Sequence, residues 1–516
     1  MKKRTMKMGA VVLASMLLMS GCGAAGSDTA GSTAAKETET AGTEQKEVEK
    51  IVFATWTINT LPSEDEIQKV EDKINEITVD RDGIEVDLKL YPYSEYFQQV
   101  SLALQSGEQV DVFTSYGNFA SAVSQDMCYD ITDLVDEYAP NARKVISDKW
   151  LEATTVNGSV YGIPAWMPVA MGINTVYRTD IAEELGLDMS QVKSVFDLTP
   201  VLEKVKEAHP EMYPVCGGAG VNGGISGLTL SIPDVDYLGD DYYSPVGVLL
   251  GDDMTVVNLF ETQEYKDRVK LAREWHENGL IMQDLATTTL SNVEILAGGN
   301  SFANITLQGS DPSVVGMNTG SQTGQEMDSF YMGDSYLDTS AVNTNTWCIS
   351  SNCKNPEAAL RFLDLTYGDA DIINLIVYGI EGEDYVVQED GTIAIPEGFD
   401  ATSVPYPGYF ILTGSWSMGD MYRMAGTTEE SVQWSINANK NSKCSPALGF
   451  TFDSSSVQTQ YTAVNNVIKQ YYSALDCGSV DPEVELPKFI QALKDAGIDD
   501  IIAEKQAQLD AWAAQD

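Results

Sequence analysis

Lys50-Ile51-Val52-Phe53-Ala54-Thr55-Trp56 is a β-prone run that ends on an aromatic side chain, and the alternation of helix and strand signals after it decides the fold. Ser63-Glu64-Asp65-Glu66 is a capping box, the signature of a helix start. It opens a stretch in which Ile67, Val70, Ile74 and Ile77 recur at helical spacing. Ile84 to Tyr91 alternates and predicts a second strand. A helix is expected from about Ser94 to Ser106, and Val110-Asp111-Val112-Phe113-Thr114-Ser115 predicts a third strand. Strand, helix, strand, helix, strand implies an α/β unit with a largely parallel sheet. Ligands of such sheets gather at the carboxyl ends of the strands. Here those ends carry Trp56, Tyr91 and Ser115-Tyr116.

Further along, Asn157-Gly158 stands between short β-prone runs and signals a hairpin. Thr199-Pro200 starts a helix, with Pro at its first position. Residues 214–260 are rich in Gly, Asp and Tyr and give no clear pattern, whereas Gln263 to Asn278 reads as helical. Ala341 to Ser350 is polar and β-prone. Asn355-Pro356-Glu357 caps a helix bearing Leu360, Phe362, Leu363 and Leu365. Amphipathic helices are expected around Val457 to Tyr471 and Ile498 to Trp512.

The N-terminus has a different character. Lys2, Lys3, Arg4 and Lys7 precede an apolar run, Gly9 to Met19, of about 11 residues, too short to span a bilayer as a helix. Ser20-Gly21-Cys22 comes directly after it. Small, small, Cys after such a run resembles the bacterial lipoprotein box, although Met19 stands where that box usually has Leu. In that box the cysteine becomes the first mature residue and carries a diacylglycerol, so Cys22 is the expected lipidation site. Residues 23–50 hold one large apolar side chain, Val48, and predict a flexible tether.

The 516 residues include 31 Lys+Arg against 77 Asp+Glu, a formal net charge of −46. That balance opposes nucleic acids and anionic membrane surfaces, which need clustered positive charge. With 43% hydrophobic residues, the chain can nonetheless bury large cores. Beyond Cys22, six cysteines remain, an even number that permits disulfides without assigning them.

Catalytic patterns are poorly supported. The two histidines, His209 and His276, lie among charged residues on expected helices, and no G-x-S-x-G elbow or P-loop occurs. Gly218-Ala219-Gly220-Val221-Asn222-Gly223 matches GxGxxG, but its continuation, Gly224-Ile225-Ser226-Gly227, is a poor helix start. Asp234-Val235-Asp236 with Gly239 has the look of a calcium loop, yet Leu238 takes a ligand position and Pro245 the place of the bidentate Glu. No cofactor and no metal is expected.

Taken together, several stretches resemble those of extracellular solute-binding protein family 1, the sugar-binding lipoproteins of bacterial ABC importers. They are Ser20-Gly21-Cys22, the hairpin Val156 to Pro164, Ile295-Leu296-Ala297-Gly298-Gly299, and Trp347 to Leu363 with Asn355-Pro356-Glu357-Ala358-Ala359. Tyr378 to Tyr385, Asp481-Pro482-Glu483 and Ala496-Gly497-Ile498-Asp499 resemble a subfamily with its own C-terminal region. The resemblance covers essentially the whole chain. It implies a two-lobed α/β fold of periplasmic-binding-protein type, type II-like, with a ligand cleft between lobes. One lobe would comprise residues 51–165 and about 345–412, the other 166–344 and about 413–516. It also implies docking of a lipid-anchored monomer, on the extracellular side of the cell membrane, onto an ABC permease.

A carbohydrate, an oligosaccharide above all, is the expected ligand. Flat aromatic rings suit the C–H faces of sugars, and amides and carboxylates suit their hydroxyl edges. The candidates are Trp56, Tyr116, Asn118, Trp166, Gln308, Trp347, Glu381 and Trp416; Trp150, Trp275 and Trp512 are assigned to cores. Arg178 and Arg423 lie near the expected crossovers and leave an anionic sugar open. Two other readings stand beside this one: a secreted glycoside hydrolase, which needs only two placed carboxylates, and a binder of a non-sugar solute such as a peptide.

Overall fold

The computed structural model of the chain describes residues 48–57, 60–220, 223–400, 403–407, 411–415, 418–419 and 421–514. β1 runs Glu49–Thr57, α1 Glu64–Asp82, β2 Ile84–Pro92, α2 Tyr96–Ser106 and β3 Val112–Thr114. β1 takes in Glu49 and Lys50, assigned to the tether from composition. Glu49 pairs with Ile84 on β2, and the Lys50 ammonium meets Glu85 at 2.6 Å. Ser63 caps α1 by accepting from the Glu66 amide. Gly83 ends it at φ 71°, a left-handed conformation that a side chain would strain. The apolar face of α1 buries Val70 and Ile74, with Ile67 and Ile77 packed beside them. β1 pairs in parallel with both β2 and β3. It is buried from Ile51 to Thr57, which is why it reads as a continuous run rather than an alternating one.

Asn157 and Gly158 take φ values of 53° and 85°, the left-handed pair that a two-residue hairpin turn requires. After β4, Ile163–Pro164, the chain crosses into a second sheet. This sheet contains β5 Gly172–Arg178, β6 Tyr213–Cys216, β7 Ser301–Gln308 and β8 Met327–Tyr331, in the order β8-β5-β7-β6. The chain returns as β9, Thr346–Ile349, antiparallel between β3 and β4. The first sheet is therefore β2-β1-β3-β9-β4, the type II arrangement expected from the sequence. The two crossovers touch where the Tyr336 amide donates to the Met171 carbonyl at 2.7 Å. Only part of Ala341 to Ser350 is strand. Thr339–Asn343 is a helical turn, because the Asp338 carboxylate accepts from the Ala341 amide and caps it.

Helices cover the sheets. α3, Pro356–Gly368, carries the Asn355 cap and buries Leu360, Phe362 and Leu363. α4 spans Ala370–Tyr378 and α5 Glu429–Asn441. Three C-terminal helices complete the chain: α6 Gln458–Asp476, α7 Pro482–Asp495 and α8 Ile498–Ala513. One core surrounds the first sheet and takes in Trp150, Trp166 and Trp347, together with Ile411, Leu412 and Met418 from late in the chain. A second core, with Trp275 at its centre, underlies the second sheet. A third joins residues 232–269 to α6, α7 and α8. No helix among the described residues is long and apolar enough to cross a membrane.

Motifs that carried no function in the sequence have structural places. Gly218–Gly220 and Gly223–Ile225 form an antiparallel hairpin, not the strand–turn–helix of a nucleotide site. In the acidic loop, Asp234 pairs with Lys443 at 2.7 Å and Asp236 accepts from the Leu238 amide. The six cysteines from Cys128 to Cys477 are free thiols.

Candidate functional site

Parallel pairing of β1, β2 and β3 brings their carboxyl ends to one edge, and there the aromatic residues gather. The Trp56 ring meets Tyr116 at 4.8 Å and 66°, and Tyr93 at 5.3 Å and 68°. Tyr93 and Tyr116 meet at 5.0 Å and 78°, with their hydroxyls 3.0 Å apart. These are edge-to-face contacts, the arrangement ring quadrupoles favour. Tyr91, the other strand-end aromatic, turns instead toward Tyr96.

The turn after β3 is held from outside. Tyr116 sits at φ 27°, a strained value for a side-chain-bearing residue. The Gly117 amide donates to the Thr344 carbonyl at 2.6 Å, so the second crossover fixes the turn. The Asn118 amide group donates to the Tyr116 carbonyl at 2.7 Å and fixes it again from within. Burial, then the Tyr93 hydroxyl, push the Tyr116 phenol well above its ordinary pKa. The Trp56 indole N–H is buried and has no hydrogen-bond acceptor among the described residues. A buried donor without a partner is costly and rare, and it marks a place where an incoming oxygen would be welcome.

The charges of Asp241 and Tyr243 add to the upward push on the Tyr116 phenol, and that of Tyr93 to the push on the Tyr243 phenol. Sequence reasoning missed Tyr93 and Tyr243. Tyr93 lies one residue beyond its strand, and Tyr243 falls in the stretch that showed no pattern.

The other candidates scatter. Trp166 is buried against Trp150, 5.6 Å between ring centres. A side chain on Gly419 would touch the Trp166 ring edge, at 4.0 Å. Gln308 ends β7 half-buried, opposite Gly172, and its side chain makes no hydrogen bond among the described residues. Trp347 does not line a cleft. It is fully buried on β9, between β3 and β4, stacks on Phe53 at 4.8 Å, and donates its indole N–H to the Thr413 carbonyl. Glu381 is exposed beyond α4, bridged to Tyr385, and joins none of the rings above. Trp416 and Cys22 lie outside the described residues.

A second aromatic platform went unforeseen. Tyr331, at the end of β8, and Trp434, on α5, stack at 5.3 Å with planes 8° apart. The buried residues of α5 are Ser431, Ser435 and Asn439. A lone tryptophan on so polar a helix has no apolar stripe to join, and that was the available signal. Near the start of α5 lies a cavity of about 340 Å³ walled by Tyr378, Met418, Met421, Tyr422, Arg423 and Met424, among others. A smaller cavity, about 40 Å³, lies beside the crossovers between Met171, Leu307 and Tyr336. The hydroxyls of Tyr242 and Tyr336, which help line it, are buried without a partner among the described residues. Asp338, on the same wall, is pushed up to about 8 by burial and by the charge of Asp236.

Residues 72–374 match the family described as bacterial extracellular solute-binding protein. The chain belongs to that family. Residues 446–514 of this solute-binding protein also match a domain of unknown function, DUF3502. It is 24% identical over 471 residues to a carbohydrate ABC transporter substrate-binding protein of Streptococcus pneumoniae, covering 90% of this chain and 91% of the relative. Among solved structures it resembles the N-glycan transport solute-binding protein NgtS of the same organism. There the TM-score is 0.76 at 24% identity, over 89% of this chain and 98% of the other. The substrate-binding protein FusA of S. pneumoniae, solved with kestose, aligns at TM-score 0.60 and 17% identity, over 91% and 100% of the two chains.

These side chains can make contacts with a solute. Rings offer faces to C–H surfaces, and hydroxyls, amides and the Trp56 N–H offer hydrogen bonds at fixed places. Arg178 and Arg423 are each paired with or flanked by an acid. Arg178 donates to Asp180 and to the Gly299 carbonyl, and Arg423 stands 3.9 Å from Glu429.

Proposed function

We propose that this solute-binding protein is the carbohydrate-capturing component of an ABC importer. It takes an oligosaccharide between its lobes at the cell surface and delivers it unchanged to the permease. The observation that carries this reading is the ring cluster Trp56–Tyr93–Tyr116 around a buried, unpartnered indole N–H. Rings take the sugar's C–H faces and the N–H takes a hydroxyl oxygen. The Tyr331–Trp434 stack and the methionine-walled cavity supply further platforms, which favours several sugar units over one. Trp166, Gln308 and Trp416 belong to this extended site, and Asn118 supports it by fixing the Tyr116 turn.

The names of the relatives point the same way: one is a carbohydrate transporter component, and FusA was solved with kestose. The strongly acidic chain, with Arg178 and Arg423 beside acids, favours a neutral ligand over an anionic one. The lobes comprise residues 51–165 with about 345–412, and 166–344 with about 413–516. Their closure on the ligand is the conformational step. Cys22 carries the lipid, residues 23–48 are the tether, and the protein works as a monomer facing outward. The test is calorimetric titration with Man5GlcNAc, kestose and a peptide panel, with chromatography of the recovered ligand afterwards. Saturable binding of an oligosaccharide returned intact supports the proposal. Binding of peptides alone, or release of a shorter sugar, overturns it.

A further inference from the structure

The C-terminal region with no assigned function grips the loop 240–247 through a buried ion pair. Lys505, on α8, is fully buried. Its ammonium donates to Asp240 Oδ2 at 2.6 Å and to the Gly247 carbonyl at 3.0 Å. The other oxygen of Asp240 accepts from the Tyr461 hydroxyl, on α6, at 2.6 Å. The Val246 amide donates to Asp240 Oδ2 at 2.7 Å. Both ends of the loop 240–247 are thus gripped from the C-terminal helices. Gly247 also stands at φ 93° with Ile502 and Lys505 against it, leaving little room for another conformation.

The residues on this loop give the grip a use. Between its clamped ends lie Asp241, Tyr242 and Tyr243. Tyr242 lines the small cavity beside the crossovers with Met171, Leu307 and Tyr336, and its hydroxyl is buried there without a partner among the described residues. Apolar packing of α6, α7 and α8 against Val246, Val248 and Leu249 holds the region in place without direction. A buried ion pair with every oxygen satisfied is different. It costs desolvation, and its best-attested return is a single specified geometry.

We infer that the C-terminal helices are a brace for the cleft, with Lys505 a positioning residue that acts through Asp240 to fix the loop that presents Tyr242 at the cavity beside the crossovers. The inference rests on the oligosaccharide reading of the cleft. Two folded variants test it: Asp240→Asn/Lys505→Met, which removes both charges together and so leaves none buried alone, and Tyr461→Phe, which removes one hydroxyl. Each is examined by melting, by hydrogen exchange of residues 240–247, and by titration with Man5GlcNAc. The expected result is faster exchange confined to that segment in both variants. The dissociation constant of the double variant should rise about tenfold at a temperature where the protein is fully folded. Wild-type exchange in either folded variant, or faster exchange with an unchanged dissociation constant, overturns the inference. If wild-type protein binds no oligosaccharide, the cleft reading fails by itself, and exchange in the 240–247 segment still decides whether Lys505 braces it.

Discussion

The indole of Trp56 meets the phenol of Tyr116 edge-on, 4.8 Å between ring centres, although one lies near the end of β1 and the other in the turn after β3. The contact exists because β1 and β3 run parallel and side by side, so their carboxyl ends share one edge of the sheet. Trp56 is nonetheless largely buried. Removing it would therefore affect both binding and folding, and its variants must separate the two.

Trp56→Phe keeps a ring in place and deletes the unpartnered N–H. If that N–H takes a sugar hydroxyl, affinity should fall by ~0.5–1.5 kcal/mol, roughly 2- to 13-fold in dissociation constant, with melting little changed. Trp56→Ala should cost stability as well, ~3–5 kcal/mol. Calorimetry and thermal melting on both variants measure the split.

Trp347 should behave in the opposite way. It is fully buried, stacked on Phe53 and bonded to the Thr413 carbonyl. Trp347→Ala should lower stability by ~3–5 kcal/mol through the cavity it leaves, while protein that remains folded binds with wild-type affinity. Urea unfolding combined with titration of the folded fraction checks both halves.

These two tryptophans show how far the sequence could be read. Each ends or occupies a β-prone run, and each looked like a platform. They differ because β9 returns from the other lobe into the middle of the first sheet, between β3 and β4. That placement is set by topology and leaves no local mark. Caps and periodicity, by contrast, are local, and they placed α1, the Asn157-Gly158 hairpin and α3 correctly. Residues 214–260 defied assignment for a physical reason. Their strands are as short as Val235–Asp236 and Leu249–Leu250. Their order comes instead from distant partners, such as Asp476, which accepts from the Ser226 and Thr229 amides, and Lys505.

Stability should depend on pH through Asp338. Its carboxyl is pushed up to about 8 in the folded protein, against about 3.9 in an unfolded chain. Between those values the folded protein holds a proton that the unfolded chain releases, so stability falls as pH rises through the window. Asp338→Asn keeps a good helix cap and removes the titration. Its melting temperature should therefore decline less than that of the wild type from about pH 4 to about pH 8. An unchanged slope would place the titrating group elsewhere.

Anchoring should depend on Cys22. Cys22→Ala should release the protein to the medium or leave it unprocessed, because the acyl chains supply the membrane affinity. Fractionation with metabolic lipid labelling reads this directly, and a membrane-bound, normally processed mutant would exclude the cysteine as the anchor.

The most direct measurement is titration of the wild-type protein with Man5GlcNAc and kestose, with the sugar recovered and chromatographed afterwards. The account predicts saturable binding of at least one oligosaccharide, compaction of the protein in small-angle scattering on binding, and recovery of the sugar unaltered. Absence of binding to any oligosaccharide, or conversion of the sugar to a shorter product, would contradict it.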